Sequence, residues 1–192
     1  MPHRATLVLA ALVALCWPSL LAAQMPPDPR ARMAAQKEAL DRLAMLDGIW
    51  RGPAWIIMGD GKHTLTQTER VGPFLEGAVR VIEGRAYAED GGISFNAFAI
   101  VSYDPDKKAY TMRSYAYGRA GDFPLTATAD GFIWETPAGP ARIRYTATVK
   151  DGTWHETGER LVPGQDPLRF FEMTLKRVGD TDWPAGGTLG PK

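Results

Sequence analysis

Between Gly48 and Val178 the chain is punctuated nine times by clusters of turn-forming residues. They are Gly59-Asp60-Gly61, Gly72-Pro73, Asp90-Gly91-Gly92, Asp104-Pro105-Asp106, Gly118 to Asp122, Asp130-Gly131, Pro137 to Pro140, Asp151-Gly152 and Pro163 to Pro167. Glycine opens backbone angles closed to other residues and proline withdraws an amide hydrogen, so regular structure stops at such clusters. Nine turns imply ten strands. Connections this short join antiparallel neighbours, because a parallel crossover takes a dozen residues or more. Ten strands of this kind curl, and closing them removes the unpaired edges that invite aggregation. The expectation is an all-β chain, an antiparallel up-and-down barrel of about ten strands over residues 48–178. A two-sheet sandwich is the rival arrangement.

Two segments set the inner face. Phe171, Met173 and Leu175 alternate with Glu172, Thr174 and Lys176, and Ile143, Tyr145, Ala147 and Val149 alternate with Arg142, Arg144, Thr146 and Thr148. The first set of each belongs inside, since successive side chains of a strand point to opposite faces. The same parity puts Arg177 inward where the barrel closes. Trp50, sharing a face with Gly52, Ala54 and Ile56, is the natural partner for its guanidinium.

Ahead of the strands, Asp28-Pro29 starts a helix: the aspartate accepts free amide hydrogens and proline loses nothing at the first helical position. Ala39, Leu40, Leu43 and Leu46 fall at helical spacing within residues 30–46, so one face must cover something, and Asp47-Gly48 ends the helix. Residues 24–47 form this N-terminal segment. Residues 1–23 open with His3 and Arg4, run apolar from Leu7 to Trp17 and end on Ala22 and Ala23, which is the three-part pattern of a cleavable signal peptide. Pro18 and Ser19 break that stretch, so a transmembrane helix is not expected. Leu15 before Cys16 argues against lipid attachment. Removing the segment takes Arg4 from the 22 bases and nothing from the 22 acids, leaving 21 and 22, and takes the single cysteine as well. Thiol chemistry is thereby excluded from the exported chain. A basic surplus for nucleic acid is absent. The last fourteen residues, 179–192, hold four Gly and two Pro and read as a loose tail with Trp183 as its anchor.

Gly48-Ile49-Trp50 after a short helix, with Arg177 ending the final strand, resembles the glycine-x-tryptophan and arginine pair of the calycin superfamily, the lipocalins and their relatives. Trp50-Arg51-Gly52, Thr68-Glu69-Arg70, Glu83-Gly84-Arg85, Tyr103-Asp104 and Lys176-Arg177 are similar to a bacterial lipocalin-like family of unknown function found in many exported proteins. The similarity spans residues 46–178. It implies a barrel with a cavity open at one end and no agreed chemistry, and it makes Trp50 and Arg177 structural. No cysteine pairs brace the barrel, and the loop motifs of the outer lipocalins are missing.

Catalytic motifs fail on inspection. There is no Gly-x-Ser-x-Gly elbow, and Ser94, Ser102 and Ser114 have no histidine beside them. Gly61-Lys62 is followed by His63 where a phosphate loop needs Ser or Thr. His155-Glu156-Thr157-Gly158-Glu159 has a zinc-protease flavour, but residues four apart on a strand lie about 13 Å apart. No metal and no cofactor are expected. Haem-binding barrels of the nitrobindin type, also calycin relatives, hold iron by a histidine near the C-terminal strands, yet Thr157 and Glu159 share the face of His155, which reads as a surface residue.

What remains is polar residues inside an apolar barrel. If Trp154 points inward, so does Glu156, and a carboxylate there needs a cation or several donors. On the fifth strand Arg113, Tyr115 and Tyr117 alternate with Met112 and Ala116, so its orientation is ambiguous. Placing Arg113 and Tyr115 inward makes a polar wall facing Tyr145 and Glu156, with Trp134, Phe98 and Met173 as apolar lining and Asn96 and Glu83 as further polar anchors. Apolar walls with few convergent polar groups are what small-molecule sites look like. The favoured reading is an exported barrel binding a small amphipathic or apolar molecule. The rivals are a filled barrel that assembles with envelope partners through the helix or Trp55, and an enzyme using Glu156 as a base.

Overall fold

A computed structural model of the protein describes residues 28–184. Helix α1, Pro29–Asp41, begins where Asp28 accepts a hydrogen bond from the Arg30 amide at 3.0 Å. A single 3-10 turn, Ala44–Leu46, follows, so the α-helix is shorter than the periodicity of residues 30–46 suggests. Ten strands come next: β1 Gly48–Met58, β2 Gly61–Phe74, β3 Val79–Tyr87, β4 Ile93–Asp104, β5 Ala109–Ala116, β6 Arg119–Ala127, β7 Gly131–Ala138, β8 Ala141–Lys150, β9 Thr153–Leu161 and β10 Leu168–Gly179. Each pairs antiparallel with its sequence neighbours, and β1 pairs with β10 to close the barrel.

The structure departs from the turn reading at two places. Gly72-Pro73 lies inside β2, and the chain reverses instead at Leu75, Glu76 and Gly77, all with positive φ. The glycine serves a different purpose: a Cβ at Gly72 would lie 2.9 Å from the Cβ of Trp183, so its bareness lets the C-terminal segment approach. That segment is docked as far as it is described. Trp183 meets Phe74 at 5.8 Å and Phe98 at 6.4 Å, and lies 5.3 Å from the Arg70 guanidinium. The second departure is at residues 118–122, where the hairpin tip is Tyr117-Gly118 and Arg119 already belongs to β6.

One end of the barrel is plugged. Leu40, Leu43 and Leu46 are fully buried against Trp50, Val71, Val101, Leu125, Phe132, Trp154 and Leu175. The Trp50 indole donates to the Leu46 carbonyl at 2.7 Å and meets Trp154 edge-on at 5.8 Å. Arg80, 3% exposed, grips Asp47 at 2.7 Å through two nitrogens and also donates to the Leu40 carbonyl, tying helix to wall. Trp50 and Arg177 do stand opposite each other in register, but the expected stack between them is not made. A bulge skips Val178 there, and the half-exposed guanidinium instead reaches the Asp47 carbonyl and Asp180.

Nine of the ten seams carry six or more residue pairs. Between β6 and β7 only Leu125–Trp134, Thr126–Ile133 and Ala127–Phe132 are paired. Pro124 of β6 and Pro137 of β7 stand beyond the last pair, and proline has no amide hydrogen with which to extend a ladder.

Candidate functional site

The end opposite the helix is open and leads into a cavity of about 570 Å³. It exists because the inward positions near this end are small: Gly84 and Ala86 on β3, Ser94 and Ala97 on β4, Ser114 and Ala116 on β5, Gly121 on β6. Phe95, Phe123, Trp134, Tyr145 and Phe171 give it aromatic walls. Trp134 and Tyr145, opposite each other on β7 and β8, stack with centroids 4.3 Å apart and ring planes 9° from parallel.

Two carboxylates are buried at the junction between cavity and plugged core. Glu156 on β9 shares the inward face with Trp154, whose indole donates to it at 3.2 Å. Glu69 on β2 receives the Gln67 amide at 2.7 Å. Their relative exposures are 7% and 8%. Register sets Glu69 opposite Gly84, where a Cβ would come within 2.8 Å of the carboxylate, so the glycine makes its berth. Burial pushes the Glu156 carboxyl up to about 7, against the pull of the Trp154 and Trp134 indoles. Burial also drives Glu69 well above the usual carboxylate range, with the Gln67 hydrogen bond opposing and the charges of Glu156 and Glu83 adding. The Tyr145 hydroxyl is raised by burial first and then by Glu156 and Tyr117. Like charges in one weakly polarisable space resist joint ionisation, so the pair gives up its protons less readily than free carboxyls do.

Of the residues singled out from sequence, Glu156, Tyr145, Trp134 and Met173 line the cavity together. Arg113, Tyr115, Phe98, Asn96 and Glu83 do not face it. On β5 it is Met112, Ser114 and Ala116 that point inward, which turns Arg113 and Tyr115 to the outer surface. There Arg113 pairs with Asp122, its register partner on β6, at 2.9 Å, and binds the Tyr115 hydroxyl at 3.0 Å. Phe98 is held outside by Trp183, and with Asn96, Glu83 and Tyr115 it borders a shallow outer groove. The guanidinium and its tyrosine are therefore surface residues, and the polar end of the cavity is acidic instead.

His155 also points outward and pairs with Glu172 at 3.0 Å. Glu69 and Gln67 are not among the site residues expected from the sequence. The signal was present in Leu65, Gln67, Glu69 and Val71, one strand face with apolar ends and a polar middle. At the mouth, Tyr117 is held at φ 52°, an uncommon region for a tyrosine, and its ring packs on Phe95 at 5.3 Å.

No family model matches the chain, and no curated protein matches it. Among solved structures it is similar to the crystal structure of Rv2717c from M. tuberculosis, at a TM-score of 0.53 and 10% sequence identity. The match covers 74% of this chain and 96% of that one. The likeness is one of fold alone.

Proposed function

We propose that this protein is an exported, lipocalin-like carrier or receptor that holds a small, largely apolar molecule inside its barrel. The observation that carries this reading is the cavity of about 570 Å³ with aromatic walls and two convergent carboxylates. That combination is typical of small-molecule sites, where apolar area supplies affinity and few polar groups supply orientation. Export rests on the signal-like pattern of residues 1–23, which lie outside the described residues. The assembly reading has less support: the apolar face of α1 is spent on the barrel end, and the Lys62 ammonium covers Trp55 at 4.1 Å.

A fluorescence titration with N-phenyl-1-naphthylamine, a neutral apolar probe, tests the site. Saturable binding is expected, and it should be lost in Ala116→Trp, which fills the space beside the mouth. Absent saturation, or binding indifferent to that substitution, removes the reading. Mass spectrometry of protein purified under native conditions from its own host then identifies the occupant.

One observation favours a second reading. A carboxyl near 7 is matched to general acid–base work, so Glu156 beside Tyr145 could serve as a catalytic base. Turnover retained by Glu156→Gln would exclude that role.

A further inference from the structure

Resting on the reading that the interior binds a small molecule, the geometry points to the charge of that molecule. We propose that it is an organic cation, a protonated amine on an apolar or aromatic body, held with its charged head between Glu69 and Glu156 and against the Trp134–Tyr145 stack.

The charge inventory of the interior is one-sided. Among the described residues no Lys, Arg or His contacts either carboxylate: Arg80 is engaged by Asp47 and Leu40 at the plugged end, and Arg119 stands at the exposed rim. Neutral donors do not make up the difference. The Gln67 amide reaches one oxygen of Glu69 and the Trp154 indole one oxygen of Glu156, neutral bonds that leave a negative charge on either group without a counter-ion. An acid can be buried with a cation, with several donors or with its proton, and here no cation faces either carboxylate among the described residues and the neutral donors are few, so burial favours the proton. A bound ammonium changes that. It supplies three donors in place of the protons, and the faces of the Trp134–Tyr145 stack offer the quadrupole attraction that cations receive from aromatic rings. An anionic ligand meets acids with no compensating base, and a neutral apolar one leaves both carboxyls with only the Gln67 amide and the indoles for partners.

Binding should therefore be coupled to proton release. The groups facing the pair are Gln67 on β2, Trp134 on β7, Tyr145 on β8 and Trp154 on β9, with Glu83 acting on Glu69 from the outer face of β3. Tyr117 at the mouth bears on Tyr145. The other strands line the cavity with neutral side chains apart from Arg119 at the rim. Since Glu156 titrates at about 7, the affinity for a cation rises as pH increases from 5 to 8.

Three probes of nearly equal shape separate the possibilities: 1-naphthylmethylamine, 1-naphthalenemethanol and 1-naphthoate, titrated calorimetrically into the full chain at pH 5 and pH 8. The amine should bind at least tenfold tighter than the alcohol at pH 8, and the carboxylate weakest of the three. Its preference should shrink at pH 5 and vanish in the double variant Glu69→Gln/Glu156→Gln, while the alcohol changes little. Equal binding of amine and alcohol at pH 8 overturns the cation inference and leaves the binding site standing. No binding by any of them, together with failure of the neutral fluorescent probe, overturns both. The pH arm uses the unaltered protein, so it decides the matter even where the double variant does not fold.

Discussion

The two ends of the barrel are built from the same strands with the same alternation, yet one is solid and the other hollow. At the plugged end the inward positions carry Trp50, Val71, Val101, Phe132, Trp154 and Leu175, and the helix and the 3-10 turn after it add Leu40, Leu43 and Leu46. Toward the mouth the inward positions of β3, β4 and β5 are small: Gly84, Ala86, Ala97, Ser114 and Ala116. Alternation decides which side chains point in, and their size decides whether the space is filled. Stability and binding are thereby assigned to different ends, with Glu69 and Glu156 on the boundary between them.

That division can be broken experimentally. The largest effect is expected from Trp50→Ala, which removes a side chain 1% exposed together with its bond to Leu46. Its loss should lower stability by about 3–5 kcal/mol in urea unfolding. A loss below about 1 kcal/mol would mean that the plugged end is not where the fold is held.

At the boundary the effect should depend on pH. The Glu156 carboxyl is raised from its ordinary 4.5 to about 7, so the folded state binds this proton more tightly than the unfolded state does. Stability from this group is complete below about 4.5 and is lost as pH rises through 7. Glu156→Gln should accordingly stabilise the empty protein by about 3 kcal/mol at pH 8 and change little at pH 4. Equal effects at both values would place the carboxylate in a better solvated setting than its burial implies. The smallest effect belongs to the rim. Tyr117→Gly relieves a left-handed tyrosine but adds unfolded-state entropy, and the two should cancel to within about 1 kcal/mol in thermal melts. A larger loss would tie the mouth to the folding unit.

The difference between the ends also explains what could be read from the chain. Strand number, antiparallel order and the inward phase of β8 and of β10 as far as Leu175 were legible because those stretches separate apolar from polar residues cleanly, whereas β9 was legible only on the condition that Trp154 faces inward. β5 was not. Its inner face needs small residues to leave room, while its outer face carries Tyr115 and an Arg113 that bonds both Asp122 and the Tyr115 hydroxyl, so hydrophobicity points the wrong way. Phe98 departs from the pattern for a related reason: it faces the outer surface toward Trp183, distant in sequence, and stays 40% exposed. Glu69 escaped notice since its role depends on Gly84 across the sheet, a pairing that register alone establishes. The turn at Gly72-Pro73 was misplaced because closeness to the C-terminal segment, a tertiary demand, calls for the same residue as a tight reversal.

The short ladder between β6 and β7 bears on how such a protein survives at high concentration. A barrel whose wall is incompletely zipped exposes two stretches of strand margin, and bare margins are where a second chain adds itself and aggregation begins. Pro124 and Pro137 sit on those margins, one on each side. Neither can donate to an incoming strand, so each interrupts the template that a neighbour would need. The short ladder is thereby a poor template for a second chain.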